Sequence, residues 1–252
     1  MGRRLRPYEQ VGPYYREQLA LVHHLGFGFH ADACAPGILT LLGSVRDRRG
    51  LVLELGCGSG LLTRHLVDAG HRVLATDASP AMLDLARDHA AGAEGFERLV
   101  LPDEPLPPAD AIVSTGHALN YLPDEAAIER ALVVVVQALR PAGVLAIDLC
   151  DLRWGEARRD EPPLTRITDD WVLATRYSLP APNHYVREMT AFVRDHDGSW
   201  RRDDERHDNV LIDTSLVPTL VAKYGVEATI SPSFGTETLP DGLVAVIGRR
   251  AS

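Results

Sequence analysis

Cysteine is scarce in this chain of 252 residues. The three present, Cys34, Cys57 and Cys150, are odd in number and lack metal-ligand spacing. That speaks against a disulfide framework and for a reducing, cytoplasmic setting. His23, His24 and His30 have no matching cluster of thiols or carboxylates, so no metal site is expected. Apolar runs are short: the longest, residues 131–136, cannot span a bilayer, and the first residues hold no apolar signal core. A membrane partner is therefore not expected. Positive charge is also in deficit. The net charge is −9, and the short group Arg3, Arg4 and Arg6 does not offset it, which argues against nucleic acid as a partner. Internal repeats and low-complexity tracts are missing. What remains is an ordinary soluble composition, 45% hydrophobic and 24% charged, in a length that suits one large domain or a domain with an insertion.

The most informative stretch is residues 51–77. A short apolar run, Leu51-Val52-Leu53, admits Glu54 and turns on Gly56, Gly58 and Gly60. Leu61, Leu62, His65, Leu66 and Ala69 then follow a helical spacing that Gly70 ends, and a second apolar strand stops on Asp77. Strand, glycine turn, helix, strand and acid place backbone N–H groups and one carboxylate at the carboxyl end of a parallel sheet, where ligands bind. Asp77 would accept hydrogen bonds from a pair of ribose hydroxyls. The dinucleotide fingerprint asks for a third glycine where this chain has Leu61, which weakens that reading.

Glu54-Leu-Gly-Cys-Gly-Ser-Gly60 resembles the first motif of class I S-adenosylmethionine (SAM)-dependent methyltransferases, and Ala75-Thr-Asp77-Ala-Ser-Pro-Ala-Met82 resembles the second. The resemblance covers about residues 46–149. It implies SAM as the cofactor. Glu54, Gly56, Cys57, Gly58 and Gly60 would line its methionine part, Asp77 would hold the ribose, and Ala78 and Met82 would flank the adenine. The strand end at Thr115 and Gly116 would sit beside the methyl group. For Cys57 a small packed side chain is favoured over a nucleophile.

Ahead of this unit, residues 18–25 and 35–42 read as helices, preceded by Tyr8, Tyr14 and Tyr15. In the family such helices lie over the cofactor, so Tyr8 and Tyr15 are candidates to touch substrate or the cofactor carboxylate, with core packing as the alternative. After Asp77, Ser79 is suited to cap a helix that opens on Pro80. Residues 98–101 read as a weak third strand, and four prolines follow it by residue 108. For the adenine amino group, Asp103 and Glu97 both stay open. A fourth strand over 110–114 runs into Thr115-Gly-His-Ala-Leu-Asn-Tyr121, and residues 116–122 resemble a G-x-x-L-N-Y-L pattern of a bacterial group of these enzymes. His117 is the candidate base or substrate contact. Asn120 can bond the cofactor or cap the next helix, and Tyr121 can pack or touch substrate.

A helix over 124–139 and a turn at 139–143 lead into a fifth strand over 144–149, with Ala142 where the family's turn has glycine. Residues 171–178, 185–195 and 200–208 then alternate like antiparallel strands around a turn at Asp197-Gly198, and a helix over 213–223 precedes strands at 226–230 and 243–248. The inserted strands carry Trp171, Arg176, Tyr177, Tyr185, Arg187, Trp200, Arg201, Glu205 and His207, most of which are expected on a solvated face with cross-strand pairs.

The expected fold is α/β: one doubly wound, Rossmann-like domain over 1–252 with a seven-stranded, mostly parallel sheet. Residues 1–45 would form an N-terminal helical cap, 46–155 and 209–252 the core, and 156–208 an inserted antiparallel β lid. The expected activity is SAM-dependent methyl transfer to a nitrogen or oxygen of a small-molecule metabolite. Carbon methylation of an aromatic or indole-like molecule, an RNA or protein acceptor, a non-catalytic SAM-binding protein and an NAD-dependent oxidoreductase are the rival readings. A homodimer stays open.

Overall fold

The computed structural model describes residues 14–252. Three helices lead the chain: α1 (Glu17–Gly26), α2 (Phe29–Leu41) and α3 (Gly43–Asp47). The central sheet then grows by strand and helix alternation through β1 (Leu51–Leu55), α4 (Leu61–Asp68), β2 (Arg72–Asp77), α5 (Pro80–His89), β3 (Gly95–Arg98), β4 (Ala109–Ser114), α6 (Glu125–Ala138) and β5 (Leu139–Cys150). A short helix α7 (Leu152–Ala157) precedes an antiparallel set, β6 (Leu164–Ile167), β7 (Trp171–Ala181), β8 (His184–Arg194) and β9 (Trp200–Val210). Helix α8 (Val217–Ala222) with β10 (Val226–Ser231) and β11 (Leu243–Arg250) completes the chain.

The seven strands of the main sheet lie in the order β10-β11-β5-β4-β1-β2-β3. Strands β3, β2, β1, β4 and β5 run parallel, while β11 pairs antiparallel with both β5 and β10. The fold is therefore the doubly wound, mostly parallel sheet expected, with helices ahead of it and an antiparallel sheet inserted. Strand order reverses between β1 and β4, so the connections leaving their carboxyl ends diverge and open a crevice. Val52, Leu53, Ala111, Ile112 and Val113 have no accessible surface, because helices cover both faces of these central strands.

Several boundaries differ from the sequence expectation. The third strand is residues 95–98, three earlier than 98–101, because its pairing with β2 runs out where Asp77 meets Arg98. Residues 99–101 are thereby released to line the crevice. The fifth strand starts at Leu139 rather than at 144. Leu139 pairs with Ala109 and Val144 with Ala111, and the extra residues loop out with Ala142 at φ 59°. The polar stretch after 150 forms α7, and β6 extends the second sheet by a strand that the alternation did not signal.

Alternation places Tyr185, Arg187, Met189, Ala191 and Val193 of β8 on one face of the second sheet. Met189, Ala191 and Val193 pack there with Leu19 and Val22 of α1 and with Trp171 and Leu173 of β7. That apolar contact seats the antiparallel sheet on α1. No helix among the described residues is long and apolar enough to cross a membrane.

Candidate active site

The glycine turn after β1 is held open by backbone geometry. Gly56, Gly58 and Gly60 have φ of 64°, 54° and 80°, which side chains resist. The turn is tied to β2 by the Cys57 N–H donating to the Thr76 carbonyl at 2.9 Å. Beside it, the Asp77 carboxylate accepts from the Gly58 N–H at 2.9 Å and the Ser79 N–H at 2.8 Å. Burial raises the Asp77 pKa, and those backbone donors oppose the rise. Ser79 caps α5 by accepting from the Met82 N–H at 3.2 Å, and its hydroxyl donates to the Tyr15 carbonyl at 2.7 Å. One residue therefore fixes both the helix after the acid and the chain that enters α1.

A second cluster forms at the end of β4, and its organiser was not foreseen. Asp148, on β5, has no accessible surface. Its carboxylate accepts from the Gly116 N–H at 2.9 Å and the His117 N–H at 2.6 Å. His30 of α2 donates to the same carboxylate from Nε2 at 2.8 Å. Burial pulls the His30 pKa down, but the hydrogen bonds to Asp148 and Cys34 and the attraction of their charges together outweigh it and hold the imidazole up at about 10. The signal in the sequence was a lone acid inside an apolar strand, where an unpaired charge is costly.

Asp148 thereby props the turn on which His117 adopts φ 50°. The His117 ring stacks on Tyr121 with centroids 5.6 Å apart. Burial, reinforced by the nearby Arg187 charge, drives its pKa down to about 3. Its Nδ1 is enclosed and meets no hydrogen-bond partner among the described residues. The Tyr121 hydroxyl lies 3.0 Å from that of Tyr15 and accepts from the Arg187 guanidinium. Burial pushes the Tyr121 pKa well up, so the phenol stays neutral.

A cavity of about 950 Å³ joins the two clusters. Gly56, Cys57, Gly58, Asp77, Ala78 and Met82 line one region, and Thr115, Gly116, His117, Tyr121 and Tyr15 line another. Arg98 to Leu101, His30, Trp154 and Arg187 contribute further wall. Within this lining, burial pushes the Cys57 thiol up, which leaves it a packed side chain rather than a thiolate.

Three expected site residues lie outside the lining. Glu54 is buried beneath the turn, where its carboxyl accepts from Thr63 Oγ1 at 2.7 Å. Burial raises its pKa to about 8 despite that bond. Gly60 is spent on packing, since a Cβ there would meet the Ala86 Cα at 3.1 Å. Asn120 is the clearest correction. Its Nδ2 donates to the carbonyls of Cys150 and Val210, and its Oδ1 accepts from the Cys150 N–H. Those bonds tie the turn after β4 to the ends of β5 and β9 and leave the amide nothing to offer a ligand. Tyr8 lies outside the described residues.

The residues fit SAM on structural grounds. Asp77 ends β2 beside a bare backbone cradle, and a Cβ at Gly58 would project toward the Met82 sulfur at 3.9 Å. Residues 52–143 match the family described as methyltransferase domain. A protein of Geobacillus sp. (strain WCH70), named as a methyltransferase, is 27% identical over 161 residues, which covers 62% of this chain and 65% of that protein. The chain thus spans slightly less than two thirds of that relative's length. Among solved structures, a SAM-dependent methyltransferase from Clostridium acetobutylicum ATCC 824 aligns over 92% of this chain and 98% of its own at 15% identity, with a TM-score of 0.78. The sugar N-methyltransferase KedS8 from Streptoalloteichus sp. ATCC 53650 aligns over 100% of both chains at 19% identity, with a TM-score of 0.76. At these identities the structural likeness is one of fold, and with the two motifs and the Asp77 cradle the matched region has one reading: residues 52–143 form a SAM-dependent methyltransferase domain.

Proposed function

We propose that this chain transfers the methyl group of SAM to a nitrogen or oxygen of a small molecule. The observation that carries the reading is the continuity of one cavity from Asp77 and Gly58 to His117 and Tyr121. Its volume of about 950 Å³ lies at the upper end of small-molecule sites, roughly 300–1,000 Å³. Helix α1 and the antiparallel sheet contribute walls through His23, Phe27 and Arg187, which favours a small acceptor over a polymer. The fold is shared with a sugar N-methyltransferase, which is compatible with an amine acceptor.

When bound, SAM supplies a methyl group already activated on a sulfonium, so the protein's task is to align and to exclude water. Asp77 would hold the ribose hydroxyls, and the glycine turn would let the methionine part lie against backbone. His117 is neutral at working pH, with its pKa near 3. A base that weak removes a proton poorly. Its role in this reading is to accept a hydrogen bond from the nucleophile at Nε2, the ring nitrogen not enclosed, and so aim a lone pair. The Tyr15 and Tyr121 hydroxyls would contact the acceptor's polar edge.

Calorimetry with S-adenosylhomocysteine (SAH) tests the cofactor half. Native protein is expected to bind it, and Asp77→Ala to bind it at least about tenfold more weakly, the loss of charge-assisted hydrogen bonds. A panel of amine and hydroxyl acceptors with SAM, followed by mass, tests the transfer. Heat-silent titrations with SAM and SAH would end the reading.

A further inference from the structure

Arg187 is a cation in the cavity wall without a carboxylate partner among the described residues. It sits mid-strand on β8, on the inward face, and lines the cavity. Its Nε is closed off and finds no acceptor, and Arg187 forms no ion pair among the described residues. Its guanidinium donates to the Tyr121 hydroxyl, with the Tyr15 hydroxyl also in hydrogen-bonding range. Arginine cannot shed its proton to escape this setting, so the charge persists where solvation is poor.

The surroundings deepen the deficit. His23, His117 and His207 are each held neutral by burial first and by the Arg187 charge next. Glu205, a nearby acid on the same sheet, is committed elsewhere: it accepts from the Tyr15 and Arg16 N–H groups and contacts His207 Nε2 at 2.8 Å. Two further buried carboxyl groups are also taken: Asp148 by His30 and by the backbone of Gly116 and His117, and Glu54 by Thr63 Oγ1. Burial raises the pKa of Tyr121 and Tyr185, so both face Arg187 as uncharged phenols, and the Tyr15 hydroxyl lies beside that of Tyr121. A counter-charge has to arrive with a ligand.

Building on the proposed methyl transfer, we infer that the acceptor molecule carries an oxyanion, a carboxylate or phosphate, that pairs with Arg187. The acceptor rather than the cofactor brings it. Contacts run from Gly56 to Ala118, whose Cβ a side chain at 56 would strike, then through the stacked His117 and Tyr121 to Arg187. Arg187 thus meets the cavity from the inserted sheet, beside Tyr121 in that stack. Its planar fork suits two oxygens of one anion, and the Trp154 and Tyr121 rings beside His117 give the rest of such a molecule an apolar seat. Specificity follows from the same feature, because an uncharged analogue would leave the guanidinium buried and unpaired.

The test uses native protein saturated with SAH and calorimetric titration with benzoate, benzamide and inorganic phosphate. Saturable binding of benzoate or phosphate, at least about tenfold tighter than benzamide, is expected, and which anion wins distinguishes a carboxylate from a phosphate. Arg187→Met is expected to abolish that preference while SAH affinity stays within about twofold of native, and Arg187→Lys to keep part of it. Equal binding of benzoate and benzamide, no saturable anion binding, or an anion preference unchanged in Arg187→Met would overturn the inference. A tenfold or greater loss of SAH affinity in Arg187→Met would overturn it as well, by assigning the guanidinium to the cofactor's own carboxylate. Failure of native protein to bind SAH would instead count against the methyltransferase reading, and anion titration of the ligand-free protein would then decide the Arg187 pairing separately.

Discussion

His30 Nε2 lies 2.8 Å from a carboxylate oxygen of Asp148, and through that pair α2 is locked to the turn that presents His117. The same carboxylate accepts from the Gly116 and His117 N–H groups. A helix ahead of the sheet, a strand in its centre and the wall of the cavity therefore depend on one buried charge.

That pairing makes stability depend on pH in a definite direction. The His30 pKa is about 10 in the native state against 6.5 for the free imidazole. Between those values the native state holds a proton that the unfolded chain releases, so raising the pH favours unfolding. Glu54 acts in the same sense from 4.5 to about 8. Urea unfolding is expected to show stability falling from about pH 4.5 to 10, by several kcal/mol in total. His30→Gln should flatten the limb above pH 8, and Glu54→Gln the limb below it. An unchanged slope in either variant contradicts the assignment.

The glycines of the turn are not equivalent. A Cβ at Gly56 would lie 2.5 Å from the Ala118 Cβ, whereas at Gly58 the closest atom is the Met82 sulfur at 3.9 Å. Both have positive φ, which costs about 1–2 kcal/mol for a side chain. Gly56→Ala adds overpacking of about 1–3 kcal/mol and displaces the His117 turn. Thermal melts and SAH titrations should rank Gly56→Ala as the more damaging in both. Comparable melting temperatures for the two variants would contradict this.

Asn120 and His117 lie three residues apart and should fail differently. Asn120→Ala removes the side-chain donor to two buried carbonyls and the side-chain acceptor of the Cys150 N–H, a loss on the order of 2–4 kcal/mol, while the remaining folded fraction should keep its SAH affinity. His117→Ala removes an imidazole whose Nδ1 has no partner among the described residues, so stability should change little and turnover should fall. Denaturation midpoints set beside single-turnover rates separate the two; full turnover in His117→Ala would remove it from the chemistry.

Much of the architecture was legible because it is local. Strand, glycine turn, helix and strand-end acid occupy consecutive positions between Leu51 and Asp77, and the turn needs glycine for steric reasons that hold in any context. The antiparallel strands were readable from alternation, and the α5 cap from Ser79 and Pro80. The boundary of β3 was not, because it depends on where β2 stops offering partners. The 140–143 bulge depends likewise on the register of β4 against β5.

By itself, then, the sequence determined the crevice, its glycine-turn edge and the methyltransferase domain over residues 52–143. Which side chains meet there was decided by tertiary structure. His30 and Asp148 are 118 residues apart, Arg187 and Tyr121 are 66 apart, and the Asn120 amide reaches 90 residues ahead to Val210. Charge and hydrogen-bonding capacity are visible in a residue's name, but their consequences depend on burial and on partners. The same arginine is a solvated surface group on one face of a strand and, on the other, a cation with no carboxylate partner among the described residues; the packing of β8 against α1 chose between them.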